Sequence, residues 1–142
     1  MEKKVHVSVR GKQKNEFDSD EISFECPGRL IEKNGTFYLS YDEISDDGSS
    51  SAKITLKMTS SRAAMIRSGG SSATMVFIPG GDTYCDYDTG AGILKLEIHT
   101  DKLAFSSNED VCSCSIKYKL RSNGMLLSNN EITVKAKTVP AE

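Results

Sequence analysis

Several residue types and segments are rare or absent in this sequence, and each absence excludes a class of protein. Its 142 residues include no tryptophan and only three prolines, and 18 basic and 20 acidic residues give a formal net charge of −2. This balance provides no global field for nucleic acid or an anionic membrane. No apolar run is long enough for a membrane-spanning helix. The start, MEKKVHVSVR, alternates at once and lacks the apolar segment of a secretory signal. We therefore expect a cytoplasmic protein with no membrane association.

Motifs of the common enzyme classes are also missing. The sequence has no Gly-x-Ser-x-Gly elbow, no phosphate-binding loop and no paired-histidine metal motif. Asp82, Asp86 and Asp88 cluster, but their spacing is not that of a helix-loop-helix calcium site, and surface solvation explains them better. We therefore expect no catalytic residues, no cofactor and no enzymatic activity.

Four cysteines, at positions 26, 85, 112 and 114, allow three interpretations. A reducing cytosol argues against disulfides. Cys112 and Cys114 could ligate a soft metal from one strand face, but a site needs further ligands, and both histidines fall on predicted outward faces. We expect small apolar thiols that pack in the core, and no metal site.

The apolar residues that are present alternate along short segments. VHVSVR places Val5, Val7 and Val9 on one face, and the same period of two recurs in AKITLKM, LKLEIHT, CSCSIKYKLR and EITVKAK. One apolar and one polar face are typical of antiparallel strands over a core. Asn34-Gly35 and Asn123-Gly124 indicate hairpin turns, because both residue types tolerate positive φ. Polar loops are predicted at 45–51 and 106–110.

Roughly nine to ten short strands in one domain indicate a sandwich or a closed barrel. Both terminal strands alternate well, so they could pair and remove the exposed edges, which favours the barrel. Pro27-Gly28 interrupts the second strand, where a bulge or a sharp bend would suit a barrel corner. We predict an all-β fold, a single closed antiparallel up-and-down β-barrel over residues 1–142, with a sandwich as the alternative.

Five motifs in order resemble the YwiB-like family of bacterial proteins of unknown function. They are FYLSYDE, MIRSGG, MVFIPGG, YDTGAG and LLSNNEITVKAK, and the resemblance runs from about Arg29 to Lys137. It implies a calycin-like, lipocalin-like barrel and carries no activity, ligand or partner. This chain has Gly90 and Ala91 where the family has a bulkier pair. The family's marked positions correspond here to Tyr41, Glu43, Arg67, Gly69, Tyr87, Thr89 and Gly92.

FYLSYDE contains the candidate site, because its apolar face continues through Tyr41 onto Glu43. A lone buried carboxylate is costly enough to take up a proton, whereas an arginine partner lets it stay ionised. Arg67, in AAMIRSG, could point inward and provide that partner. We predict that Glu43 and Arg67 pair near one end of the barrel, with Tyr41 and Tyr118 nearby.

Two interpretations of these four residues stay open. In the first, they bind a small amphipathic or anionic ligand: Arg67 anchors an anionic head, and the apolar part lies against the barrel interior. In the second, the pair is a rim salt bridge that holds two strands in register, or the two residues never meet. The apolar wall of the first interpretation consists of Leu39, Leu56, Met58, Phe77 and Leu96.

A rival function would use the outside of the barrel. If the first and last strands pair, their outward faces merge into one basic stripe that could bind RNA or an acidic protein. Solubility and edge protection are the plainer explanation of these charges. Because no aromatic residues interleave to stack bases, nucleic acid is not favoured. The basic residues concerned are Lys3, Lys4, Arg10, Lys12, Lys14, Lys117, Lys119, Arg121, Lys135 and Lys137.

Overall fold

The computed structural model describes residues 2–44, 50–69 and 72–139, and these form ten β-strands. The predicted loop at 45–51 lies mostly outside the described residues. Among the residues described, no helix has the length and apolar character needed to cross a membrane. The strands are β1 Glu2–Lys14, β2 Ser19–Lys33, β3 Thr36–Ile44, β4 Ser50–Met58, β5 Ala63–Gly69, β6 Ala73–Phe77, β7 Asp82–Asp88, β8 Ile93–Ser107, β9 Val111–Ser122 and β10 Met125–Thr138.

All ten strands belong to one antiparallel sheet in the order β6-β5-β4-β3-β2-β1-β10-β9-β8-β7. β1 and β10 pair from Val5 opposite Thr138 to Lys14 opposite Asn129, so the predicted pairing of first and last strands is confirmed. The edge strands β6 and β7 meet where the backbones of Ser72 and Asp88 exchange two 2.9 Å hydrogen bonds. The result is a nearly closed up-and-down barrel, as predicted, and the sandwich alternative is wrong.

Period-two alternation places the core inside this barrel. Val5, Val7 and Val9 are all at most 3% exposed, while their neighbours on β1 face outward. All four cysteines are buried and form no disulfide, which agrees with the predicted packing role. Burial raises the pKa of Cys112 to about 11 and that of Cys114 to about 12, so both stay neutral thiols near pH 7.

Two hairpin turns have the backbone that their sequences predict. Asn34 and Gly35 have φ of 53° and 81°, and Asn123 and Gly124 have φ of 52° and 78°. Positive φ at both central residues is the geometry that suits the right-handed twist of paired strands. The Asn-Gly signals therefore fix the positions of the β2–β3 and β9–β10 turns.

Pro27 and Gly28 do not form the predicted bulge. β2 runs unbroken, and its pairing with β1 keeps one register from Glu2 opposite Ile31 to Lys14 opposite Ser19. Gly28 is needed for a different reason: a Cβ there would lie 2.6 Å from Val7 Cγ2 and 2.8 Å from the Ser40 carbonyl oxygen. The missing side chain lets strands β1, β2 and β3 approach closely inside the barrel.

The up-and-down topology gives the barrel two distinct ends. The end of the barrel that contains the β2–β3 turn, the β8–β9 turn at 108–110 and both ends of the described chain is called the lower end. There Thr138 donates its N–H to the Asp110 carbonyl over 2.8 Å, and Val139 donates to the Lys4 carbonyl over 3.1 Å. The upper end has the β7–β8 turn at 89–92 and the β9–β10 turn at Asn123-Gly124.

Candidate functional site

Glu43 and Arg67 meet at the upper end of the barrel. Glu43 ends the inner face of β3, Arg67 lies on the inner face of β5, and β4 runs between them. Arg67 Nη1 donates to Glu43 Oε2 over 2.7 Å, and Arg67 Nη2 donates to Glu43 Oε1 over 2.8 Å. The predicted pairing is therefore present, in the bidentate form that a guanidinium and a carboxylate favour.

The pair is partly buried, and its surroundings favour the charged form of Arg67. The side chains of Arg67 and Glu43 are 24% and 27% exposed. The hydrogen bonds that Arg67 donates to Glu43 are the main cause that raises the pKa of Arg67, and desolvation opposes them. Tyr41 is buried beside the pair. Burial is the main cause that raises the pKa of Tyr41 well above its usual value, and the nearby Cys26 and Glu43 raise it further. Tyr87 also acts electrostatically on Arg67, so two tyrosines accompany an ionised pair.

The geometry of the pair favours a structural role over anion capture. Both terminal nitrogens of Arg67 donate to Glu43, so an incoming anion would have to compete with a carboxylate already in place. The apolar wall predicted for a ligand is itself the packed core. Leu56 and Phe77 are 0% exposed, and the other three members are also buried. A ligand between Arg67 and this wall would have to displace close-packed side chains.

Tyr118 lies in a different part of the interior. Its ring packs on Phe77 with centroids 4.9 Å apart and planes tilted by 58°. Phe77 is four residues along β6 from Ala73, the register partner of Arg67, and four strand residues span roughly 13 Å. Burial raises the pKa of Tyr118 to about 12. The structure thus brings Tyr41, Glu43 and Arg67 together and places Tyr118 elsewhere.

A cleft of about 470 Å³ opens at the lower end of the barrel, and we call it the lower cleft. Its floor is apolar: Leu30, Cys112 and Ala136 are buried there, and the Phe37 ring packs on Phe105 with centroids 5.3 Å apart. The rim is polar. The rim residues are Lys3, Glu32, Ser107, Asn108, Glu109 and Thr138.

Sequence reasoning missed the lower cleft, although a signal was present. Lys3 shares the inner face of β1 with Val5, and Glu32 shares that of β2 with Leu30. These are apolar faces that end on a charge, the same pattern that drew attention to Glu43. The pattern therefore marks both ends of the barrel: Glu43 lies at the upper end, and Lys3 and Glu32 lie at the lower end.

The histidines lie on outer faces, as predicted, and each contacts carboxylates. His6 Nε2 is 2.8 Å from Glu25 Oε1, and His99 Nδ1 is 2.6 Å from Asp82 Oδ1. The other ring nitrogen of His99 is 3.5 Å from Asp101, which also accepts from Lys119 Nζ. Among the described residues, no cluster of three or more His, Cys, Asp or Glu is arranged to hold a metal ion.

Pairing of β1 with β10 does merge their outer faces, but the resulting stripe is not purely basic. His6 and Ser8 lie opposite Lys137 and Lys135, whereas Lys12 lies opposite Glu131. Lys3 is on the inner face and does not contribute. The carboxylates of Glu25, which contacts His6, and of Asp101, which contacts Lys119, interrupt the positive charge further.

Ten sequential antiparallel strands that nearly close on themselves define a barrel of the calycin-like class. The chain belongs to the family described as Domain of unknown function (DUF1934), whose family model matches residues 7–134. Its fold is similar to the crystal structure of the ywiB protein from Bacillus subtilis, with a TM-score of 0.85, 22% identity, and coverage of 98% of this chain and 94% of that one. A search of curated proteins gave no match. The resemblance to the YwiB-like family is confirmed, and at this identity the solved structure shows the fold alone.

Proposed function

We propose that the chain is a non-catalytic binding protein for a small amphipathic molecule held in the lower cleft. One observation carries the proposal: inward-facing apolar side chains form the floor of the cleft, and charged and polar side chains form its rim. Small-molecule sites typically have volumes of about 300–1,000 Å³ and such a distribution of polarity. The volume of about 470 Å³ falls within that range. No cofactor is needed, and a cytoplasmic location stays a prediction.

The floor is suited to an apolar tail. Cys112 presents a neutral thiol, because its pKa is raised to about 11 by burial, and Leu30 and Ala136 present only hydrocarbon. Phe37 adds an aromatic face that is not fully buried by its neighbours. Covering these side chains with a tail would remove apolar surface from water, at about 25 cal/mol for each Å².

The rim narrows the choice of head group. It contains one ammonium, that of Lys3, and two carboxylates, those of Glu32 and Glu109. A purely anionic head would be attracted by the first and repelled by the other two. The charge balance therefore supports a neutral, zwitterionic or cationic head, and the earlier prediction of an anionic ligand held by Arg67 is not part of this proposal.

Fluorescence of N-phenyl-1-naphthylamine, an uncharged apolar dye, tests the site. Ser107 and Ser106 are exposed neighbours on β8, but only Ser107 lines the cleft. Ser107→Trp should plug the cleft, and Ser106→Trp adds the same side chain on the outer face. We expect saturable dye binding by the wild type and by Ser106→Trp, and none by Ser107→Trp.

Competition then identifies the head group. A dodecyl amine and a dodecyl alcohol should displace the dye at lower concentration than dodecanoate does. Equal dye binding by the two tryptophan variants would contradict the site, and no saturable binding by the wild type would contradict the function. Displacement by dodecanoate alone would contradict the charge argument and return attention to Arg67.

The basic stripe supports a second candidate, an interaction with RNA or an acidic protein. The observation in its favour is that β1–β10 pairing aligns Lys135 and Lys137 beside the outer face of β1. The variant Lys135→Gln/Lys137→Gln should then elute from heparin at lower salt than Lys53→Gln/Lys57→Gln, which removes two exposed charges from β4. Equal elution would dismiss this candidate. Because carboxylates interrupt the stripe, we place it second.

A further inference from the structure

Five polar side chains form one row across the inner face of the barrel. Thr100 on β8 lies opposite Tyr118, Tyr118 opposite Asn130, Asn130 opposite Gln13, and Gln13 opposite Asp20. Neighbouring strands are about 4.8 Å apart, so the row spans roughly 19 Å. It runs from a fully buried hydroxyl to an exposed carboxylate. Apart from charged side chains at the two ends of the barrel, the inner face is mainly apolar, so a continuous polar row is unexpected.

A small cleft lies along the outer part of this row, and we call it the ribbon cleft. It has a volume of about 150 Å³ and opens beside a wider depression of about 610 Å³ that shares several of its residues. Gln13, Asp20, Tyr118 and Asn130 supply inward polar groups, and Ile22 and Ile132 supply apolar surface. Lys12 and Glu131 add one charge of each sign to the lining. Ile22 is 49% exposed, so the cleft combines polar groups with hydrocarbon that water can reach.

The inner end of the row holds a hydroxyl without a partner. Within the residues that the structure describes, Thr100 Oγ1 is buried and makes no hydrogen bond. The backbone of Thr100 is satisfied, because its carbonyl accepts from Gly80 over 2.8 Å and its N–H donates to the Gly81 carbonyl over 3.1 Å. Buried hydroxyls in native proteins are nearly always paired. Its register partner Tyr118 lines the ribbon cleft, whereas Thr100 itself lies behind it in the packed interior.

We propose that the row binds a neutral polyhydroxylated molecule the size of one sugar ring in the ribbon cleft. The hydroxyls and amides of the row both donate and accept hydrogen bonds, as the adjacent hydroxyls of a sugar do. The hydrocarbon of Ile22 and Ile132 would cover the C–H face of the ring. The Asp20 carboxylate accepts from hydroxyls. Together with Glu131 it outnumbers the Lys12 ammonium in the lining of the cleft, and this balance disfavours phosphorylated sugars. This site is separate from the lower cleft and does not depend on it.

NMR of the ¹⁵N-labelled full chain provides the test, with separate titrations of D-glucose, D-galactose, D-mannose and myo-inositol. We expect saturable shifts in the amide signals of Gln13, Tyr118 and Asn130 with at least one of these polyols. Gln13→Leu and Asn130→Leu should each weaken binding about tenfold, the effect of one lost hydrogen bond. Asn129→Leu is the matched control: Asn129 is the outward neighbour on β10 and should leave the affinity unchanged.

Failure of all four polyols to give saturable shifts would overturn the proposal. So would shifts centred on the lower cleft, or shifts that persist unchanged in both Gln13→Leu and Asn130→Leu.

Discussion

Arg67 and Glu43 are joined by two hydrogen bonds of 2.7 and 2.8 Å that span strand β4. They tie β3 to β5 at the upper end of the barrel, beside buried Tyr41. A partly buried charge with its partner removed is costly, whereas a neutralised pair of similar shape is much less so. The pair therefore contributes to the stability of this end mainly because neither charge is left alone.

Arg67→Met should lower the free energy of unfolding by about 1–3 kcal/mol, because it takes away the two charged N–H donors that Arg67 offers the Glu43 carboxylate. Glu43→Gln/Arg67→Met should cost less than the two single changes added together, which a double-mutant cycle by urea denaturation would measure. Lys95→Gln is the control, because the Lys95–Asp86 pair is 3.8 Å long and highly exposed, and its loss should cost well under about 1 kcal/mol. Strict additivity of the two single changes would contradict the coupling.

Gly28→Ala should destabilise the protein by about 1–3 kcal/mol, because its Cβ would meet Val7 at 2.6 Å and the Ser40 carbonyl oxygen at 2.8 Å. The main chain at Ser40 has no flexible end that can move aside. Gly92→Ala is the matched control, since an added Cβ there meets nothing within 4 Å. Thermal unfolding of both variants measures the difference. A Gly28→Ala protein as stable as Gly92→Ala would show that β1, β2 and β3 are not held so closely.

The sequence was sufficient for the barrel and for the Glu43–Arg67 pair. Alternation in segments such as VHVSVR and the two Asn-Gly turns specify strands and hairpins locally, and two well-patterned terminal strands suggest that the sheet closes. The Glu43–Arg67 pair could be predicted because an inward-facing carboxylate needs a partner, and the arginine guanidinium can donate two hydrogen bonds to it. These are local or pairwise arguments, for which sequence patterns are adequate.

The position of Tyr118, the role of Gly28 and the lower cleft depend on how the strands are staggered, and no local sequence pattern specifies that stagger. Tyr118 faces inward as its alternation predicts, but the register places it against Phe77 and away from Arg67. Pro27-Gly28 gives a turn-like signal, yet the glycine is needed for close packing between strands in a continuous β2. The lower cleft combines residues from β1, β2, β3 and β8 to β10, so it becomes visible only once the barrel is closed.

Alkaline pH should destabilise the protein through Cys114. Burial raises the pKa of this thiol from 9.0 to about 12, so between these values the unfolded chain releases its proton while the folded chain keeps it. The contribution of this thiol to the free energy of unfolding is fully present below pH 9. It falls as pH rises toward 12, by at most about 1.4 kcal/mol for each pH unit. Urea denaturation across this range should show a shallower decline for Cys114→Ala than for Ser113→Ala, its outward neighbour. Identical slopes would contradict the assignment.

The β6–β7 seam should be the first part of the barrel to open. The backbone pairing described there is the Ser72–Asp88 bridge, supported by the Thr83 hydroxyl donating to the Val76 carbonyl. The β1–β10 seam pairs ten consecutive residues. Native-state hydrogen exchange should therefore give lower protection in β6 and β7 than in β1 and β10, and Thr83→Val should lower it further at the seam alone. Uniform protection around the barrel would contradict a weak seam.

Native mass spectrometry of the protein, purified without detergent, tests the proposed function most directly. If the lower cleft binds a small amphipathic molecule, the wild type and Ser106→Trp should carry a non-covalent adduct that organic extraction releases, and Ser107→Trp should carry none. An adduct present equally in all three proteins would place the ligand elsewhere. Three proteins free of any adduct, together with no saturable binding of N-phenyl-1-naphthylamine, would contradict a binding function for the cleft.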